Sequence, residues 1–146
     1  MSLLLVLVAL VAGVSLPVQA GVNTLLARHV GRPEWAAVVS FAVGLVGIAA
    51  WTLASRARAP SLAALSAMPG WAWTGGLIGA FYVTSVILLT PRIGLTLTLG
   101  LSVAGQLVGA LLLDRIGAFG LDPRPLTGTR VAGTVLLVLA VFLSRR

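Results

Sequence analysis

Long apolar runs alternate along this chain with short stretches carrying Arg, Gly and Pro, and that alternation predicts its elements. The runs occupy residues 3–27, 35–54, 71–90, 94–113 and 131–143, and no charged residue interrupts any of them. Each of the first four is close to the ~20 residues that a helix needs to cross a bilayer. The fifth is shorter and reaches a span only when extended to 129–144. The pattern predicts an all-α integral membrane protein, a bundle of about five transmembrane helices forming one domain over residues 1–146.

The first run is the most informative. On a helix Ser15, Gln19 and Asn23 are spaced four apart and share one stripe, while Gly13, Pro17 and Gly21 repeat at the same spacing on the opposite face. Amides at mid-membrane depth are costly unless they meet a neighbouring helix or a water-filled cavity, so the polar stripe is a candidate substrate-binding surface. Hydrogen bonding to neighbouring helices as packing glue explains it equally well. Pro17 deprives the Gly13 carbonyl of its helical donor, and Gly13, Pro17 and Gly21 are candidate hinge or packing positions.

The second run carries Ser40, Gly44 and Gly47, a small-residue stripe for which packing is the first explanation. Residues 55–70 turn mixed: Arg56, Arg58 and Pro60 leave the membrane, and Leu62, Ala63, Leu65 and Met68 suggest a short amphipathic segment on the interface. Trp71 and Trp73 mark the headgroup level, and Tyr82, Thr84 and Ser85 place hydroxyls deep in the third span, which Pro91-Arg92 closes. In the fourth span Ser102 and Gln106 repeat the chemistry of the first, with Asp114 two turns on. Gly105 and Gly109 there have the spacing of close helix approach. A cavity ringed by amides and hydroxyls of the first, third and fourth helices is the expectation. Asp114 is a candidate coupling or gating acid, although an ion pair with adjacent Arg115 accounts for it more simply. The loop 116–128, with Gly117, Gly120, Pro123 and Pro125, reads as turns before Arg130 opens the fifth helix.

Composition narrows the classes. Hydrophobic residues make up 59% of the chain and charged residues 9%, far below the roughly 25% charged in a soluble domain. The net charge of +7 comes from ten Arg, mostly at the ends of apolar runs, which reads as anchoring to lipid phosphates and not as a nucleic-acid surface. With no Cys, one His and no paired carboxylates, neither a catalytic constellation nor a metal site is expected, and no cofactor is implied. A competing reading of the first run is a secretory signal cut after Val18-Gln19-Ala20, but the apolar character continues past that point.

Three segments resemble the YdcZ-type branch of the drug/metabolite transporter superfamily. They are Gln19-Ala20-Gly21-Val22-Asn23 with Arg28; Gly79-Ala80-Phe81-Tyr82-Val83-Thr84-Ser85 running to Pro91-Arg92-Ile93-Gly94; and Gly105-Gln106-Leu107 leading to Leu113-Asp114-Arg115-Ile116-Gly117. The resemblance implies a small multi-pass protein of the bacterial inner (plasma) membrane that exports a solute. The related small multidrug resistance proteins bind protons and cations at a glutamate in the first helix. This chain has no carboxylate there and carries Gln19 at comparable depth, which departs from proton-coupled export of hydrophobic cations.

The leading functional expectation is a transporter that moves a small organic solute by alternating access, contacted by Ser15, Gln19, Asn23, Tyr82, Ser85 and Gln106. A non-transporting membrane subunit that scaffolds or regulates a partner is the second class, and a lipid-linked sugar flippase a variant of the first. No internal repeat is visible, so a second chain is expected to supply the other half of the site, in a homodimer, parallel or inverted, or a heterodimer with a homologue. Arg56, Arg58, Arg115, Arg124 and Arg130 fall on the side of the N-terminus, and Arg28, Arg32, Arg92, Arg145 and Arg146 on the other. That tie sets no preferred orientation.

Overall fold

The computed structural model describes residues 2–143 and is helical throughout its apolar runs. Helix α1 spans Leu3–Val30, α2 Pro33–Ala54, α3 Leu62–Ser66, α4 Gly75–Ile93, α5 Leu95–Ile116 and α6 Gly128–Leu143. Short 3-10 turns occupy Gly70–Thr74 and Ala118–Gly120. Among the described residues there is no strand, and four segments are long and apolar enough to cross a bilayer: α1, α2, Gly70–Ile93 and α5. The fifth expected span is α6, whose 16 residues extend only about 24 Å at the helical rise. Ser144, which that span was to borrow, and the terminal Arg145 and Arg146 lie outside the described residues. The chain is an all-α, multi-pass membrane protein.

Helix ends follow backbone chemistry more closely than they follow apolarity. Helix α1 runs three residues past its apolar stretch because Arg28 and His29 are favourable in a last turn, where carbonyl dipoles attract cations. It stops at Gly31, which takes the left-handed conformation (φ 77°) and donates its N–H to the Ala27 carbonyl at 3.0 Å. Pro33 then opens α2, where a missing N–H costs nothing, and Glu34 sits in the first turn. Pro17 lies inside α1 without interrupting it. The third span starts differently from expectation: Trp71 and Trp73 belong to the 3-10 turn, and α4 begins only at Gly75. It also runs through Pro91 to Ile93, so the turn expected at Pro91-Arg92 falls at Gly94.

The helices gather into two compact units, Met1–Pro91 and Arg92–Arg146. In the first, α1 packs on α2, with burial confined to the half nearest the loop: Ala20, Asn23 and Thr24 on α1, Ala36 and Ala37 on α2. Small side chains let the two backbones approach there. From α4, Ile87 closes against Ala36 and Ala37, flanked by Leu26, Ala27 and Val83. Since lipid is as apolar as these side chains, close dispersion contact and not transfer from water holds this cluster. Beyond Ser40, every residue of α2 is exposed.

In the second unit α6 returns along α5. Gly100 makes the close approach possible, because a Cβ there would lie 3.2 Å from a methyl of Val141. The connecting loop is tight: Gly117 has φ 60°, and a Cβ would sit 2.7 Å from Pro123 Cγ and 2.8 Å from the Leu121 carbonyl. Only glycine fits this corner.

Candidate functional site

The polar side chains singled out within the spans divide into two sets. Thr24, Thr52, Thr98, Ser102 and Thr134 each donate to the carbonyl four residues back, and Ser15 donates to Ala12 at 2.7 Å, three back. Such bonds satisfy a hydroxyl inside its own helix, where lipid offers no partner. Gln19, Asn23, Tyr82, Ser85 and Gln106, by contrast, make no side-chain hydrogen bond among the described residues. The amides of Gln19, Asn23 and Gln106 cannot be silenced locally as a hydroxyl can, and together with the unbonded hydroxyls of Tyr82 and Ser85 they remain available to a solute or a partner helix.

An open cleft of about 320 Å³ lies in the first unit, just beyond the packed half of the α1–α2 pair. Gln19 from α1, Ser40, Phe41, Gly44, Leu45 and Ile48 from α2, and Val83 from α4 line it. Its position follows from the burial pattern. Alanines draw α1 and α2 together near their loop, and bulkier, unburied residues beyond Ser40 leave a gap between them. Two polar side chains on an otherwise apolar wall are typical of a pocket that orients a small molecule through few hydrogen bonds.

Of the expected substrate contacts, only Gln19 reaches this cleft. Asn23, one turn further along the same stripe, is 4% exposed and belongs to the packed half instead. Ser15 is exposed and bonded to its own helix, and Tyr82 and Ser85 are half-buried on α4 away from the lining. Gln106 and Asp114 belong to the second unit. Sequence reasoning treated Ser40 and Gly44 as a packing stripe and passed over Phe41, Leu45 and Ile48. The signal for Ser40 was a lone hydroxyl on a face of small residues, which packing explains as readily.

At Asp114 the expected pairing is corrected. Its carboxylate takes the guanidinium of Arg130, sixteen residues on, and not that of adjacent Arg115. The α5–α6 loop brings Arg130 back to the end of α5, where both side chains are about one-third exposed. Arg130 also reaches the Pro125 carbonyl at 3.4 Å, and the Arg124 N–H donates to the Asp114 carbonyl at 2.8 Å. Together these bonds clip the loop to both helices. Gly13, Gly21, Gly105 and Gly109, expected as hinge or packing positions, would each accept a Cβ with no atom within 4 Å.

Residues 4–143 match the family described as "Putative inner membrane exporter, YdcZ". The chain is 32% identical over 140 residues to the inner membrane protein YdcZ of Escherichia coli (strain K12), covering 92% of this chain and 90% of that one. No solved structure matches it. With nearly its whole length matched, the chain belongs to the YdcZ family of inner-membrane proteins.

Proposed function

We propose that the protein exports a small organic solute across the inner membrane by alternating access, and that the cleft at Gln19 and Ser40 forms part of its binding site. Membership of an exporter family supports transport as the activity. The observation that carries the site is Gln19: an exposed amide within the apolar helix α1, with no hydrogen bond among the described residues, in a cleft of about 320 Å³. Desolvating such a group costs on the order of 1–3 kcal/mol unless something pairs with it, and a solute with a hydrogen-bonding group would do so. Phe41, Leu45, Ile48 and Val83 would shelter the apolar remainder. A lining of this kind selects neutral or weakly polar solutes, since among the described residues no carboxylate or guanidinium lines it.

The working unit in this reading is a dimer. The cleft is open on one side, and the Gly13/Gly21 edge of α1 has open space before it, so a second chain would complete the wall. Asn23, Tyr82, Ser85 and Gln106 would meet the solute in the other state of the cycle or across that interface. Asp114 stands as the one acid that a coupling or gating role would use, through release of Arg130.

Flux into proteoliposomes containing this chain alone is the test. A thermal-shift screen of small organic solutes first supplies a ligand, and counterflow of that ligand then measures transport. Ligand-dependent flux that falls in Gln19 and Ser40 variants supports the reading. Ligand binding without flux would assign the chain to a non-transporting subunit.

A further inference from the structure

Between α2 and α4 the chain builds a second apolar hollow, lined by none of the residues of the Gln19 cleft. Helix α3, capped by the Ser61 hydroxyl on the Ala64 N–H at 3.1 Å, is flanked by two open grooves of about 560 and 360 Å³. Both are walled by Leu65, Met68 and Trp73, with Pro60 and Ala72 on one side. The polar group on the other side, Ser66, already donates to the Ala63 carbonyl. Met68 is 50% exposed and Trp73 62%, so among the described residues no apolar side chain fills the hollow.

Arg56 and Arg58 precede the groove residue Pro60 by four and two positions along the chain, both exposed and without an ion pair among the described residues. No Asp or Glu occurs anywhere from residue 35 to 113. Arg56 holds a left-handed backbone (φ 51°) at the end of α2, with its N–H on the Leu53 carbonyl and the Ala57 N–H on that of Thr52. Helices usually place glycine at this position of the cap, because a side chain there is strained.

We propose that residues 55–73 bind one anionic phospholipid. The headgroup phosphate is held by Arg56 and Arg58, and an acyl chain lies in the groove of Pro60, Leu65, Met68 and Trp73. Guanidinium groups bind phosphate bidentately, and the indoles of Trp71 and Trp73 favour the headgroup level, which sets the groove where acyl chains begin. Charge complementarity selects the anionic lipid over a zwitterionic one.

The test is native mass spectrometry of the full chain released from micelles containing equal amounts of phosphatidylglycerol and phosphatidylcholine with identical acyl chains. The wild type should retain phosphatidylglycerol with about a 10–30-fold preference, the scale expected of two interfacial arginines. Arg56→Gly with Arg58→Gln should abolish that preference, and because glycine relieves the strained backbone this variant keeps its fold. Met68→Ser with Trp73→Ala should lower retention of both lipids. An unchanged preference in the arginine variant overturns the proposal. So does an equal loss in Arg28→Gln with Arg32→Gln, which would make the effect general surface charge. Displacement of the lipid by inorganic phosphate alone, with the groove variant behaving as wild type, would leave only an anion site and overturns it too.

Discussion

Gln19 and Asn23 are the same kind of side chain one helical turn apart, yet their surroundings separate them. Gln19 faces the cleft, while Asn23 is buried where α1 meets α2. Gln19→Leu should therefore leave the unfolding midpoint in detergent unchanged, since Leu suits an apolar wall. Ligand binding should weaken by about 1–2 kcal/mol, the order of one lost buried hydrogen bond. Isothermal titration of the purified variant measures this, and wild-type affinity would return Gln19 to a packing role. Asn23 makes no hydrogen bond among the described residues, so replacing it with Leu, which has the same branched skeleton with two methyls in place of the amide, removes a buried amide with no partner to orphan. Asn23→Leu is expected to hold or raise the unfolding midpoint while slowing flux. A clearly lowered midpoint would show that the amide bonds a neighbour.

At the scale of elements, the Asp114–Arg130 ion pair is one of the bonds that clip the α5–α6 hairpin together. Asp114→Asn leaves the half-buried Arg130 without its counter-charge, and Arg130→Gln does the reverse. Each should destabilise the protein by about 1–2 kcal/mol, between the worth of an exposed pair and the cost of breaking a buried one. If the pair only clips the loop, both variants lose flux to the same partial extent and the pH profile of transport keeps its shape. A profile flattened by Asp114→Asn but not by Arg130→Gln would make Asp114 a proton-coupling group. The rigidity of the corner at Gly117 favours the clip: with Pro123 and the Leu121 carbonyl pressed against it, the loop has little room to move apart from the pair.

For the whole molecule, the balance of arginines is expected to set how the chain enters the membrane. Five arginines fall on each side of the predicted topology, and acidic neighbours count little toward orientation, so pairing of Arg130 with Asp114 does not break the tie. Three Arg added after Arg146 should convert a mixed population to a single orientation, read by compartment-sensitive reporters at each end. If the working dimer is inverted, flux then falls and is restored by co-expressing a copy biased the other way. Full flux from the uniformly oriented chain alone would reject the inverted dimer and leave a parallel one.

Apolarity read along the chain is a local quantity, because each residue's preference for lipid adds to its neighbours' without reference to the fold. For that reason the sequence by itself determined the helical class, the four long spans and the short segment at Leu62–Ser66. Helix ends moved by about three residues, at Val30 and Ile93, because caps and left-handed glycines stop a helix where backbone bonding ends and not where the apolar run does. Helical periodicity also placed Gln19 and Asn23 on one stripe, but a period says nothing of what covers a face. Only the packing of α1 on α2 decided that Asn23 is buried and Gln19 open, and that Ser40 and Phe41 join it. The partner of Asp114 was likewise beyond the sequence: Arg115 is nearest along the chain, and the path of the loop brings Arg130 to it instead. Proximity in space depends on the route of the backbone between two residues, and that route is a property of the fold.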